Sequence, residues 1–235
     1  MAKQENMKYL EQFVQQNDFE SLLTRCFSSE ERTIELCANK AFWNVIRGYR
    51  EYLKLPQPER KTLCANIAKW VAICVDELFA QNVSTQEEFD IWHNEICTRL
   101  QSESNKHIHW FDSGLPYGIA QYTLNTAFAN MLIMERWDKH LDPIRAFLHV
   151  PVNSSVMESA WKDYKIVVPL SSGGVGEYSY TNDEGKISKS YKRWDSGEYI
   201  KFQNDVRLAV PSCPIDWAYS IWNKPKQERG GNANG

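Results

Sequence analysis

The strongest constraint on the fold is a helical periodicity in the first 105 residues. From Pro58 onward, apolar side chains recur every three to four residues, and Pro58 itself suits the first turn of a helix. Two more segments with this period follow the capping-box sequences Ser28-x-x-Glu31 and Ser84-x-x-Glu87. We therefore expect a mostly α-helical protein whose first 105 residues form an N-terminal helical region.

The helical pattern continues after a polar break, with one β-like insertion. Helices are predicted at about 118–137, 142–147, 154–161, 197–208 and 214–222. Between about 165 and 192, a β-like run and an alternating segment around a turn at Asp183-Glu-Gly185 predict a small β-hairpin. We expect residues 106–225 to form a second region, and the polar, glycine-rich tail 226–235 to be flexible.

Composition excludes several classes of protein. A hydrophobic content of 43%, with 13% aromatic residues, excludes global disorder. No apolar run is long enough to span a bilayer and the polar start is unlike a signal peptide, so we expect a soluble cytoplasmic protein without a membrane partner. A net charge of −3 excludes a globally basic binder but allows a local positive face.

Sequence signatures of metal and phosphate chemistry are weak. The six cysteines include no CxxC pair and are expected to be reduced core residues. His107 and His109 have no acidic or cysteine partner at ligand spacing, and the glycine-rich segment 171–177 lacks the lysine of a phosphate-binding loop. The sequence therefore predicts no metal and no cofactor.

The most informative segment runs from Leu115 to Met157. It contains Leu115-Pro116-Tyr117-Gly118-Ile119-Ala120-Gln121-Tyr122-Thr123 and, later, Val150-Pro151-Val152-Asn153-Ser154-Ser155-Val156. In order and in flanking helices, these resemble the hairpin and the catalytic segment of the helix–hairpin–helix superfamily of DNA glycosylases. The family's hairpin reads roughly L-P-G-V-G-x-K-T-A-N and its catalytic segment V-P-V-D-T-H-V.

Two later motifs narrow this resemblance. A W-x(4)-Y-x(3)-Q-x(3)-R segment falls on Trp194, Tyr199, Gln203 and Arg207, and a P-x-[DE]-W segment begins at Pro214. Both are similar to segments of bacterial proteins with an oxoguanine-glycosylase-type fold. The resemblance covers about residues 105–223 and implies a two-lobed helical fold, with double-stranded DNA as the partner.

The resemblance also implies how DNA is held. Backbone N–H groups of the hairpin would bind a phosphate, with Gly118 permitting close approach. The implied contacts are Gly118, Ile119, Ala120, Gln121 and Thr123. Residues 185–207 add a basic patch, represented by Lys189, Lys192 and Arg193. A flipped base would be enclosed by aromatic walls, for which the candidates are Trp110, Trp137, Trp161 and Trp194.

Two positions depart from the family pattern. Tyr122 replaces the lysine that forms a Schiff base in bifunctional members, so the resemblance implies a monofunctional enzyme with water as the nucleophile. Asn153 replaces the catalytic aspartate, and an amide cannot activate water or stabilise an oxocarbenium-like charge as a carboxylate does. Either the chain is naturally inactive, or it carries an Asp→Asn change, or another carboxylate such as Asp142 substitutes.

Three functions stay open from the sequence. The first is a DNA N-glycosylase that excises a damaged or modified base, in repair or in defence against modified foreign or phage DNA. The second is an inactive DNA- or protein-binding module on the same fold. The third is a helical interaction scaffold in which the match is accidental.

Overall fold

The computed structural model describes residues 10–13, 33–105, 115–134, 138–171, 181–182 and 184–223. Its α-helices are α1 (Ile34–Ile46), α2 (Arg50–Lys54), α3 (Gln57–Ala80), α4 (Gln86–Asn105), α5 (Tyr117–Ile133), α6 (Asp138–Leu141), α7 (Ser154–Tyr164), α8 (Ser196–Ala209) and α9 (Pro214–Asn223). Short 3-10 turns lie at Arg145–Phe147 and Tyr191–Arg193. The expected mostly α-helical class is confirmed.

Several predicted features fall on residues outside the described ranges. They are the first capping box (Ser28 and Glu31), both histidines of the 107–109 pair, Trp110, Trp137, Asp183, most of the glycine-rich segment and the tail 226–235.

Helix α5 is the centre of the core. Nearly all of its residues are buried on every side, with Tyr122 and Asn130 the two partly exposed positions. A helix that is apolar all round is expected to be enclosed by others, and α1 packs against both α5 and α3. The core is continuous across residue 105, so the division into regions there stays a prediction.

Capping side chains mark where helices α4 and α7 begin. Asn153 caps α7 as predicted, because its Oδ1 accepts the Val156 N–H at 3.0 Å. The capping box of α4, however, was predicted one residue too early. It is formed by Thr85 and Glu88, since the Glu88 N–H donates to Thr85 Oγ1 at 3.2 Å and the Thr85 N–H donates to the Glu88 carboxylate at 3.1 Å.

The β insertion is reduced to a turn and two bridges in the part of it that the structure describes. Thr181 pairs with Ile187 and Leu170 with Ser188 as isolated antiparallel bridges, and no longer strand occurs among the described residues. The turn between them contains Gly185 at a φ of 75°, a left-handed conformation that favours glycine. The predicted turn is therefore present, while the β-hairpin stays a prediction.

The described helices include none that is long and apolar enough to cross a membrane.

Candidate functional site

The segment that resembles the family hairpin is the start of helix α5. Gly118, Ile119, Ala120, Gln121 and Thr123 are all buried. The Ile119 and Ala120 N–H groups donate to the Pro116 carbonyl, at 2.9 and 3.3 Å, so they already have partners within the chain. This placement argues against the predicted phosphate grip by these residues.

Gly118 has a packing role that the sequence did not indicate. A Cβ atom at this position would lie 2.0 Å from the Tyr191 carbonyl oxygen and 2.9 Å from backbone atoms of Lys192. Glycine is therefore required for the 3-10 turn at Tyr191–Arg193 to pack on α5. The predicted close approach exists, but its partner is this chain's own backbone.

The predicted basic patch is largely neutralised. Lys192 is 3% exposed, and its Nζ donates to the Val45 carbonyl at 3.2 Å, so it cannot contact DNA in this conformation. Lys189 forms two hydrogen bonds with the Glu198 carboxylate, at 2.9 and 2.7 Å. Arg193 alone of the three predicted contacts is exposed.

The two described tryptophans of the predicted base pocket occupy different environments. Trp194 is 1% exposed, packs edge-on against Phe202 and donates its indole N–H to the Lys189 carbonyl. It is a core residue, which corrects its assignment to a pocket wall. Trp161 is partly exposed on α7, with the Lys165 amino group 5.4 Å from its ring.

The backbone before Asn153 is held by Gln203, the glutamine of the W-x(4)-Y-x(3)-Q-x(3)-R segment. The Gln203 side chain accepts the Val150 N–H at 3.1 Å and donates to the Val150 carbonyl at 2.9 Å. This two-point clamp fixes the backbone that leads into Asn153, the cap of α7. The motif glutamine thereby positions the residue that stands where the family has its aspartate.

Tyr122 and Asn153 meet in the fold, although they are far apart in the sequence. Burial raises the pKa of Tyr122, while interactions with the side chains of Thr126 and Asn153 and the charge of Arg47 partly oppose that rise. The phenol is therefore protonated at neutral pH and is not a nucleophile. We call Tyr122, Asn153 and Arg47 the Tyr122–Asn153 site.

Tyr191 and Thr126 lie beside Tyr122. The Tyr191 ring lies 5.6 Å from the Tyr122 ring. Thr126 is 7% exposed, and its hydroxyl lacks a well-formed hydrogen bond among the described residues. Asp142, the alternative carboxylate, is exposed in the turn after α6.

A buried polar network that includes Asn125 of α5 was not predicted. The His149 Nε2 atom lies 2.6 Å from Asp90, and His149 Nδ1 lies 2.8 Å from the Tyr199 hydroxyl. Asn125 Nδ2 donates to that hydroxyl at 2.7 Å, and Asn125 Oδ1 lies 2.8 Å from His93 Nε2. One consistent set of donors satisfies every link if both imidazoles are neutral with hydrogen on Nε2.

Protonation preferences in the network agree with that assignment. Burial raises the pKa of Asp90, but hydrogen bonds from His149 and Gln86 and the charge of Arg207 outweigh it and lower the pKa to about 2. Burial lowers the pKa of both His93 and His149. Asp90 is therefore ionised and both imidazoles are neutral at pH 7.

Part of the network had a sequence signal. Tyr199, Gln203 and Arg207 are spaced four residues apart on α8, so they share one face, and that face is turned inward. Asp90, His93 and His149 occupy no recognisable motif. Polar residues at helical spacing that point to a core are the feature that could have revealed the network.

The other reactive or metal-ligating side chains that the structure describes do not form a metal centre. In the described parts of the chain, no three His, Cys, Asp or Glu side chains are grouped to hold a metal ion. The described cysteines are free thiols. Asp216 of the closing motif is buried and pairs with Arg145 at 2.5 Å, which joins α9 to the 3-10 turn at Arg145–Phe147.

Comparisons with protein-family models, with curated proteins and with solved structures found no match to this chain.

Proposed function

We propose that this chain binds double-stranded DNA and presents an everted nucleotide to the Tyr122–Asn153 site, as an N-glycosylase-type protein with two lobes. One observation carries the proposal. Tyr122 and Asn153 stand where the resembled family has its lysine and aspartate, and the Asn153 side chain and the charge of Arg47 both lower the pKa of Tyr122.

The chemistry of the site follows from its side chains. Excision of a base develops positive charge on the sugar, which a carboxylate stabilises while water attacks. Tyr122 cannot form an imine, so the reaction would leave an intact abasic site. Asn153 supplies a neutral amide oxygen that already accepts the Val156 N–H. The site with asparagine at this position is therefore a poor catalyst.

A second candidate function is favoured by that same amide. A protein that binds DNA and everts a nucleotide needs shape and hydrogen-bonding groups at position 153 but no carboxylate. The chain would then be a reader of modified DNA, which retains the scaffold without cleaving the glycosidic bond.

The deciding experiment restores the carboxylate with Asn153→Asp. Aspartate is as good a helix cap as asparagine, so the variant should fold normally. Wild type and variant are incubated with duplex DNA containing oxidised, alkylated or bulky modified bases, and released base is measured by mass spectrometry. Asn82→Asp, an exposed substitution in the loop before α4, is the matched control for an added charge.

Each result assigns the function. Release by Asn153→Asp alone identifies a glycosylase scaffold whose natural sequence is nearly inactive, since losing one catalytic electrostatic group costs about 10²–10³ in rate. Equal release by the wild type moves catalysis to another carboxylate, with Asp142 the first to mutate. Borohydride trapping of a covalent adduct contradicts the water mechanism. Absence of salt-dependent DNA binding by either protein overturns the proposal as a whole.

A further inference from the structure

A cavity of about 300 Å³ lies between α1 and α3, on the α1 side of the core. It is lined by Asn39, Trp43, Tyr52, Gln57, Arg60, Lys61 and Cys64. Trp43 is 38% exposed, which is unusual for so large an apolar side chain in a protein with a well-packed core. We call this cavity the Trp43 pocket.

Four cations surround the Trp43 pocket. Arg60 and Lys61, from the first turns of α3, form part of its wall. The Lys40 amino group and the Arg47 guanidinium lie 5.3 and 4.8 Å from the Trp43 ring.

These cations have no carboxylate partner in the part of the chain that the structure describes. Among the described residues, none of the four forms an ion pair with a carboxylate, although Glu59 is adjacent to Arg60 in the sequence. The surface around the pocket is therefore locally positive in a chain whose net charge is −3. A cleft lined by one sign of charge concentrates ligands of the opposite sign.

One donor in the pocket is also unsatisfied. Arg60 Nε is buried and has no hydrogen-bond partner among the described residues. The guanidinium is held in place by the Tyr52 ring, 5.8 Å from its centre. A buried N–H without an acceptor is costly, and an anionic oxygen in the pocket would remove that cost.

We propose that the Trp43 pocket binds a phosphate of the DNA strand whose nucleotide is presented to the Tyr122–Asn153 site, an inference that rests on the proposed function. The two places are joined by α1, because Arg47 at its C-terminal end lies against the Trp43 ring and α1 packs on α5, which carries Tyr122. Arginine and lysine are the side chains that most often bind phosphate oxygens. The phosphate contact that the α5 segment does not offer is thereby supplied from α1 and α3.

Salt-dependent DNA binding tests the inference. Arg60→Gln and Lys61→Gln each remove one cation at similar side-chain length, and Lys61 is exposed, so that variant should fold normally. Lys69→Gln is the matched control, because it removes one exposed lysine from the same helix outside the pocket. Affinity for one labelled duplex is measured by fluorescence anisotropy between 50 and 200 mM salt, with folding checked by thermal melting.

The expected result is specific to phosphate contacts. Each pocket variant should reduce the slope of log K against log salt by about 0.9 and weaken binding about three- to tenfold at the lowest salt. The double variant should reduce the slope by no more than about 0.9 in total, because both cations contact the same phosphate. The Lys69→Gln control should keep the wild-type slope.

Failure of this inference can be distinguished from failure of the proposed function. If wild type binds DNA and both pocket variants keep its slope, the inference fails while the proposed function stands. If wild type does not bind duplex DNA, the proposed function fails and the inference with it. Inorganic phosphate and thymidine monophosphate are titrated in parallel. Pocket-dependent binding of either, with an unchanged DNA slope, assigns the pocket to a free ligand and also overturns the inference.

Discussion

Two basic regions of this protein differ in whether their cations are paired with carboxylates. In residues 185–207, Lys186, Lys189, Lys201 and Arg207 each form an ion pair with a carboxylate, and Lys192 is buried. Around the Trp43 pocket, the cations have no carboxylate partner among the described residues and line a cavity beside an exposed tryptophan. The basic residues of the first region are close together in the sequence, whereas those around the Trp43 pocket come from two helices, α1 and α3.

The difference shows that the density of basic residues is a poor guide to a nucleic-acid surface. A cation that is paired within the chain offers little net charge to a phosphate, and counterion release depends on the charges that are available to neutralise phosphates. Part of the pairing in residues 185–207 comes from helix α8, whose capping box places Glu198 against Lys189. The folded arrangement, rather than the count of basic residues, decides which region leaves positive charge available to an anionic ligand.

The largest expected effect comes from Gly118, which allows the first region to pack on the core. Gly118→Ala should lower the free energy of unfolding by about 3 kcal/mol or more, because its Cβ would collide with the Tyr191 carbonyl at 2.0 Å. Urea denaturation measures this loss.

Gly197→Ala is the matched control for that substitution. A Cβ there would meet only Asp195 Oδ1, at 3.4 Å, so stability should be unchanged or slightly higher. Equal stability of Gly118→Ala and wild type would contradict the close packing of the 3-10 turn on α5.

The next effect is a loss of stability in mild acid, which tests the network to which Arg207 belongs. Burial lowers the pKa of His93 and His149 in the folded state, and His149 faces Asp90, Arg207 and the Tyr199 hydroxyl. Because the unfolded state binds protons first, stability is full above about pH 6.5 and falls below it. Between pH 7.5 and 5.5 the loss should reach at least about 1.4 kcal/mol, which is the contribution of one histidine that stays neutral when folded.

Asp90 adds a second loss at lower pH. Its pKa of about 2 lies below the ordinary value, so its contribution is present above about pH 4 and disappears as the pH falls toward 2. Urea unfolding across this range measures both windows. His140→Gln is the control, since His140 lies outside the network and is exposed on α6. A free energy of unfolding that is constant from pH 7.5 to 5.5 would contradict neutral buried imidazoles.

Lys192 gives an effect of intermediate size and separates the two regions directly. Lys192→Met removes the donor to the Val45 carbonyl and the cation that lies 4.5 Å from the Tyr49 ring. Leaving that carbonyl without a partner should cost about 1–2 kcal/mol. The salt slope of DNA binding should stay at the wild-type value. A slope reduced by about 0.9 would show that Lys192 reaches a phosphate after all.

The fold was accessible to sequence reasoning where signals are local. The apolar period after Pro58 and the Asn153 cap depend on neighbouring residues, and both lie in the structure as expected. The capping box was predicted one residue too early because Ser84 and Thr85 are both good caps. In the structure the Glu88 carboxylate, three residues after Thr85, accepts hydrogen bonds from the N–H groups of both residues.

The site was accessible only in part, because its contacts are tertiary. The resemblance selected Tyr122 and Asn153, and the fold brings them together. It also selected Gly118, and the density of basic residues in 185–207 selected Lys192. The burial of both depends on a 3-10 turn that no local signal predicts. Arg60 and Trp43 come from different helices with no shared motif, so no pattern along the chain could have joined them.

The smallest expected effect is at Lys201, the exposed end of the paired region. Its amino group lies 2.5 Å from Asp205, one helical turn away, and the lysine side chain is 71% exposed. Exposed pairs of this kind contribute about 0.3–0.5 kcal/mol, so Lys201→Gln should change the free energy of unfolding by no more than that. Since Asp205 already offsets the charge, the salt slope of DNA binding should move far less than in Lys61→Gln. Equal changes of slope in these two variants would mean that pairing does not decide which cations meet phosphate, and the contrast between the two regions would fail.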